Sequence, residues 1–315
     1  ALESVRGMTD KRLIPFQIPW GEKADLKGVI DILAMKAYEG KENTPVDIPE
    51  EYADEVETAR LELIEMAAEA NDELLMKYLE GDQLSADEIL EGLMEGILDG
   101  TFVPVYVSSG TAQIGLAPLL DGIIKLMPSP DQAPPITASG KDGEQPLPAD
   151  DNGPLAAYVW KTTADPFVGK ITYFRLYSGK LGEDTRVYNH AEGEDERFSG
   201  VSVMRGKTQL EVSEVHAGDL ASVPKLGVTT TGNTLGAKDK PINIPNPDYP
   251  NALYRVAVSP ASQADSAKLS PTLTRLCEED MTLSWEQDNT TKETILQGMG
   301  GQHIDVAIRK AENLF

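Results

Sequence analysis

The sequence predicts several domains in series. An α/β region with an acidic helical insert comes first, a β-barrel follows, and a split βαβ (ferredoxin-like) domain lacking its last strand ends the chain. Three observations predict this. With 315 residues, the chain can build two or three separate cores. Its hydrophobic pattern changes from mixed helix and strand to closely spaced strands near Leu155, and changes again after "NIPNPDYPN". Its 40% apolar and 25% charged composition is that of a soluble globular protein.

In the first region, "LIPFQIPWG" and "LKGVIDILAMKAYEG" carry short apolar strands around glycine turns. From Pro49 to Leu79, Tyr52, Val56, Leu63, Ala67, Leu74 and Tyr78 recur at helical spacing, which predicts a helix over 50–80. A further helix starts at Ser85, where Ser85-Ala86-Asp87-Glu88 is a capping box, and Ile89, Leu93, Ile97, Leu90, Met94 and Leu98 give it a wide apolar stripe. "TFVPVYV" (101–107) reads as a buried strand. The helix carrying Leu119, Leu120, Ile123, Ile124 and Met127 stops at Pro128. Seven of the chain's 21 prolines lie between Pro128 and Pro154, so 129–152 is expected as a linker or long loop, closing a first domain over 1–128.

Over 153–247, alternating strands without intervening helices suggest the barrel. Over 248–315, the order is strand "ALYRVAVSP", helix from about Ala264 to Glu279, strands "TLSWEQD" and "ETILQGMG", and helix "HIDVAIRKAENLF". This β-α-β-β-α series is one strand short of the split βαβ motif.

The net charge of −24 argues against a general nucleic-acid binder. Residues 41–100 hold 19 Asp/Glu and 3 Lys/Arg, a net of −16, whereas 153–247 balance 11 basic against 11 acidic residues. The acidic helices are either a solvated face or a docking surface for a basic partner. No apolar run approaches the ~20 residues of a membrane helix, so no membrane partner is expected. A lone Cys277 and three scattered histidines make a zinc site improbable and fit a reducing, cytoplasmic setting.

Isolated motifs give no chemistry. Gly206-Lys207-Thr208 lacks the earlier glycine of a phosphate loop, since Val201 stands there; Gly298-Met299-Gly300 has His303 where a third glycine belongs. Asp25-Leu26-Lys27-Gly28 reads as strand. His303 and Cys277 read as structural, and no catalytic residue or metal ligand is assigned.

Read in order, the pieces resemble the elongation factor G family of translational GTPases. "IPFQIPWGEKADLKGVIDILAMKAY" and "ILDGTFVPVYVSSG" are similar to the end of the GTPase domain with its family insert. "ADPFVGKITYFRLYSGKL", "HAGDLASV" and "TTTGNTL" resemble the barrel domain, and "SPASQADSAKL", "EED" (278–280) and "QGMG" (297–300) resemble the third. The resemblance implies that Ser109-Gly110 is the loop whose backbone meets the guanine base, usually Ser-Ala. The phosphate loop, both switches and the Asn-Lys-x-Asp motif would precede Ala1. Under this reading the chain is an internal fragment: the parent would use GTP or GDP with Mg, and this chain would bind no nucleotide and hydrolyse no GTP. The resemblance further implies a ribosomal partner: the basic domain of the stalk protein at Glu55, Glu62, Glu65 and Glu69, and ribosomal RNA at Lys170, Arg175, Lys180, Arg186 or Arg197, without sequence-specific DNA binding. Translocation during elongation is the first reading; recycling or antibiotic-protection relatives and a GTPase-free binding module are the alternatives. Gly301-Gln302 in place of Glu-Leu, and Met281 in place of Pro, mark the third domain as diverged.

Overall fold

The computed structural model describes residues 2–314 apart from 166, 167, 183 and 207, so Pro166 and Phe167 of the "ADPFVG" stretch lie outside the described residues. The chain divides into two compact units, 1–129 and 130–315.

In the first unit, β1 (Arg12–Pro15) pairs in parallel with β6 (Phe102–Val105), bringing together segments ninety residues apart in sequence. Between them, β2 (Gln17–Trp20), β3 (Gly28–Asp31), β4 (Lys36–Glu39) and β5 (Thr44–Val46) form an antiparallel meander. Ile14 and Ile30 from these strands, with Phe16 and Ile32 at their ends, bury their side chains with Val56, Leu63 and Leu93 of the helices. Arg60 fastens the helices to the meander, its Nη1 donating to the carbonyls of Ile32 and Leu33 at 2.9 Å each.

The single helix expected over 50–80 is two helices, α1 (Ala53–Glu69) and α2 (Asp72–Leu79). Asn71 causes the break. Its side-chain oxygen accepts from the N–H groups of Glu73 and Leu74 at 2.9 and 3.3 Å, an N-cap that starts a new helix. Its Nδ2 donates to Glu95 of α3 (Ala86–Leu98) at 2.8 Å, which fixes where the bend falls. The apolar period runs across this bend, so periodicity alone does not see it.

The capping box at the start of α3 is present as read from sequence. Glu88 N–H donates to Ser85 Oγ at 3.3 Å, and Ser85 N–H to Glu88 Oε2 at 2.7 Å. Lys77 Nζ lies 2.6 Å from Glu88 Oε1, and this contact, followed by the bonds from Ser85, holds the carboxyl down to a pKa of about 2. The last helix of the unit, α4 (Leu116–Leu126), ends before Pro128 as expected.

In the second unit, the strand-rich region forms an eight-stranded antiparallel sheet. Its strands are β9 (Ala156–Asp165), β10 (Gly169–Ser178), β11 (Arg186–Asn189), β12 (Glu194–Arg197), β13 (Val201–Arg205), β14 (Thr208–Val212), β15 (Leu220–Pro224) and β16 (Thr234–Gly236). They lie in the order β12-β11-β16-β9-β10-β15-β13-β14, over a core centred on Phe174, Leu176, Phe198 and Val223. The signature "TTTGNTL" builds this fold: buried Asn189 donates to Thr229 Oγ1 and Asn233 Oδ1, and Glu196 accepts the N–H groups of Gly227, Val228 and Thr229.

The segment 129–152, expected as linker, holds structure. Within it β7 (Ile136–Gly140) and β8 (Gly143–Leu147) form a hairpin that pairs with β17 (Ile242–Asn243), and Ala138 and Leu147 are buried beside Tyr158, Ile242 and Ile244. The prolines that suggested a linker are compatible with pairing because β8 is an edge strand, where Pro146 lacks no ladder partner.

The last region follows the predicted order. β18 (Tyr254–Val258), α5 (Ser266–Glu279), β19 (Ser284–Gln287), β20 (Thr294–Gly298) and α6 (Gly301–Leu314) pack around Leu273, Leu276, Leu296 and Ile304, with sheet order β18-β20-β19. Cys277 is half-buried, and burial pushes its thiol up to about 11, so it is not poised as a nucleophile. His303 Nδ1 accepts the Met299 N–H at 3.1 Å, so the proton sits on Nε2, which donates to Asp280 Oδ2 at 3.0 Å. The histidine thus closes the turn between β20 and α6 against the end of α5.

Ser85→Ala is expected to destabilise the first unit by about 1 kcal/mol in urea denaturation. Because the Glu88 pKa is depressed, the stability it contributes is complete above about 4.5 and is lost as pH falls toward 2. Lys77→Met should flatten that acid slope; an unchanged slope would show that the pair contributes nothing.

Candidate functional site

The segment after β6 turns at Ser109 and Gly110 and returns to α4. Ser109 and Ile114 exchange both backbone bonds, at 2.9 and 3.2 Å, and Ala112 N–H donates to Ser109 Oγ at 3.2 Å. These closing bonds use the N–H groups of Ser109, Ala112 and Ile114 and leave that of Gly110 out. Gly110 is exposed, and no atom lies within 4 Å of where a Cβ would stand. The loop therefore offers an open backbone edge at Gly110.

Two side chains distant in sequence hold this loop. Gln17 Oε1 accepts from Val107 N–H at 3.1 Å, and Asn43 Oδ1 accepts from Gly115 N–H at 3.0 Å. Asn43 sits at φ +51° between β4 and β5, a conformation asparagine tolerates better than most residues. Gly115 is left-handed at φ +72°, and a Cβ there would stand 2.5 Å from the Val107 carbonyl. Gln17 lies within the stretch that resembles the end of the GTPase domain and Asn43 beyond it, but neither is among the site residues expected from sequence.

Asp31 lies under this region at the end of β3. Burial pushes its carboxyl above the usual range, against hydrogen bonds from Ala34 and Leu33 and the charge of Lys125. Tyr106 stacks on Phe16, ring centroids 5.5 Å apart; burial and then the Asp31 charge push its phenol up.

The acidic candidates Glu55, Glu62, Glu65 and Glu69 are all exposed on α1, spaced so that three of them repeat every seventh residue. Glu69 is engaged by Arg12 Nη1 at 2.5 Å, while exposed Leu61 lies beside Glu62 in sequence.

The basic candidates differ in exposure and in their partners. Arg186 and Arg197 are exposed and directly opposite in the β11–β12 register, but Arg197 pairs with Asp184 at 2.8 Å. Lys180 lies between Asp151 and Glu214 at 3.5 and 3.7 Å. Arg175 is half-buried with its guanidinium 4.8 Å from the Tyr177 ring centroid, and half-buried Lys170 lines a cavity with Glu278 and Glu279. Among the described residues, no cluster of three His, Cys, Asp or Glu could hold a metal ion, and no helix is long and apolar enough to cross a membrane.

Comparison with known proteins agrees with this architecture. Residues 154–238 match the family model described as elongation factor G domain 2, and residues 249–315 the model described as Elongation Factor G, domain III. Elongation factor G of Thermotoga maritima is 39% identical over 309 residues, covering 96% of this chain and 45% of the relative. Elongation factor G of Thermotoga sp. (strain RQ2) is 38% identical over 312 residues, covering 96% of this chain and 44% of the relative. A crystal structure from Thermus thermophilus is similar with a TM-score of 0.85 and 31% identity, over 99% of this chain and 45% of that one. The chain thus spans less than half the length of the relatives it matches.

Two outcomes are expected from substitution. Gly110→Ala should leave thermal stability unchanged, whereas Gly115→Ala should cost about 1 kcal/mol or more, since it adds both strain and a clash. Asp31→Asn keeps the acceptor for Ala34 and removes a half-buried charge. A raised folded pKa makes ionisation unfavourable to the fold, so the variant should melt higher than the parent at pH 8, and the gain should vanish once pH is low enough to protonate Asp31.

Proposed function

This chain belongs to the elongation factor G family, and from that premise we propose that it serves translation elongation as a ribosome-binding assembly. In this reading the large sheet and the region after it meet ribosomal RNA through phosphate contacts that position without reading sequence. The acidic face of α1 receives the basic domain of the stalk protein. Identity of 38–39% across 96% of the chain carries the proposal, since it spans both family models and the acidic helices together.

Ser109 and Gly110 are the base-facing end of a guanine-nucleotide site. The open Gly110 backbone suits a guanine edge, and Gln17 and Asn43 keep it in place. GTP with Mg, when bound by the longer relatives, would supply the phosphoryl group that is hydrolysed. Residues 1–315 hold no phosphate-gripping sequence, and positioning and charge neutralisation of the phosphates are most of phosphoryl-transfer catalysis. The chain by itself is therefore proposed not to hydrolyse GTP.

Sedimentation of the purified chain with ribosomes tests the partner: cosedimentation is expected, and its absence at low salt would overturn the reading. Binding of the stalk domain should weaken from about 0.1 M to 1 M salt, as the screening length falls from about 10 to 3 Å. A Glu62→Lys/Glu65→Lys double variant should abolish it. Salt-independent binding would show that the carboxylates are not the contact.

A further inference from the structure

The triplet Glu278-Glu279-Asp280 at the end of α5 has no role in the reading above, yet three separate elements converge on it. The Glu278 carbonyl accepts two hydroxyl bonds, from Thr162 of β9 at 2.9 Å and from Thr231 at 3.0 Å. Those hydroxyls are also within 3.1 Å of each other. One oxygen of the Glu279 carboxylate accepts the N–H of Ala164, near the end of β9, at 2.6 Å. Its other oxygen takes Lys310 of α6, and the Glu279 side chain is only 6% exposed. A carboxylate so far removed from water is tolerated only with partners on both oxygens.

We propose that Glu279 is the catch fastening the C-terminal helices to the large sheet, with Thr162 and Thr231 as its seat. The arrangement is polar rather than a greasy interlock. Each hydroxyl and the Ala164 N–H close on the last turn of α5, where carbonyls have no intrahelical partner. Glu279 spans two joints at once: toward β9 through Ala164, and toward α6 through Lys310. Asp280 then continues the chain of contacts to His303 at the start of α6, so one helix end sets the placement of both its neighbours. The device is a positioning residue: it touches no substrate and acts by holding elements in register.

Hydrogen exchange of the whole chain tests it amide by amide. Glu279→Ala should speed exchange of the Ala164 amide and of the C-terminal half of α6 by about tenfold or more, as loss of a hydrogen bond to a charged group requires. Amides in the centre of β10 should stay unchanged. Glu279→Gln keeps an acceptor for Ala164 but no charge for Lys310, so it should restore protection at Ala164 and not in α6. A Thr162→Val/Thr231→Val variant reaches the same joint from the other side and should loosen the end of α5 with Glu279 intact. Unchanged exchange at Ala164 in Glu279→Ala, or a uniform rise across every amide of the chain, would overturn the assignment.

Discussion

The placement of the Val107–Gly115 loop depends on two hydrogen bonds that reach across the first unit. Gln17 of β2 holds the loop's entry and Asn43, in the turn between β4 and β5, its exit, from positions 90 and 72 residues away. Apart from buried Ile114 the loop is polar or small between its ends, so much of its conformation is set by whatever satisfies its backbone. Gln17 is buried, and Asn43 sits at a left-handed position that few residues accept. The β1–β6 parallel pair and the β2–β5 meander are what bring these two side chains to the same loop. The open Gly110 edge follows from the loop's own closing bonds together with that scaffold.

The second unit is organised by the same principle at a different place. Its signatures carry hydrogen bonds more than chemistry: Asn189, Glu196 and Asn233 tie down the loop before β16, and the end of α5 gathers Thr162, Thr231 and Ala164. Residues such as these are costly to replace because a buried donor or acceptor left alone loses its full hydration. The stretches "TTTGNTL" and "EED" supply several of these partners.

Much of this was legible in the sequence, for reasons that differ by element. The Ser85 capping box and the stop of α4 before Pro128 were readable because each depends on neighbours within four residues. The β-α-β-β-α order of the last region followed from its periodicity. The break at Asn71 was hidden because the apolar stripe continues through it and the cap is confirmed by Glu95, 24 residues on. The β7–β8 hairpin was hidden by prolines whose edge position only the sheet order reveals. At the candidate site, Ser109 and Gly110 were found by resemblance, while Gln17, Asn43 and Asp31 carry no local signal: their importance exists only once distant strands pair. The five basic candidates rest on the resemblance and on their charge, and Lys180 and Arg197 are matched by carboxylates that sequence spacing does not bring near them.

In the function proposed above, this chain holds a guanine-facing edge without the means to grip phosphates. Titration of a fluorescent guanosine diphosphate into the purified chain, with and without magnesium, tests it most directly. Weak binding or none is predicted, with the same curve in both conditions and no change in Gly110→Ala. Saturable, magnesium-dependent binding at micromolar concentration would contradict it.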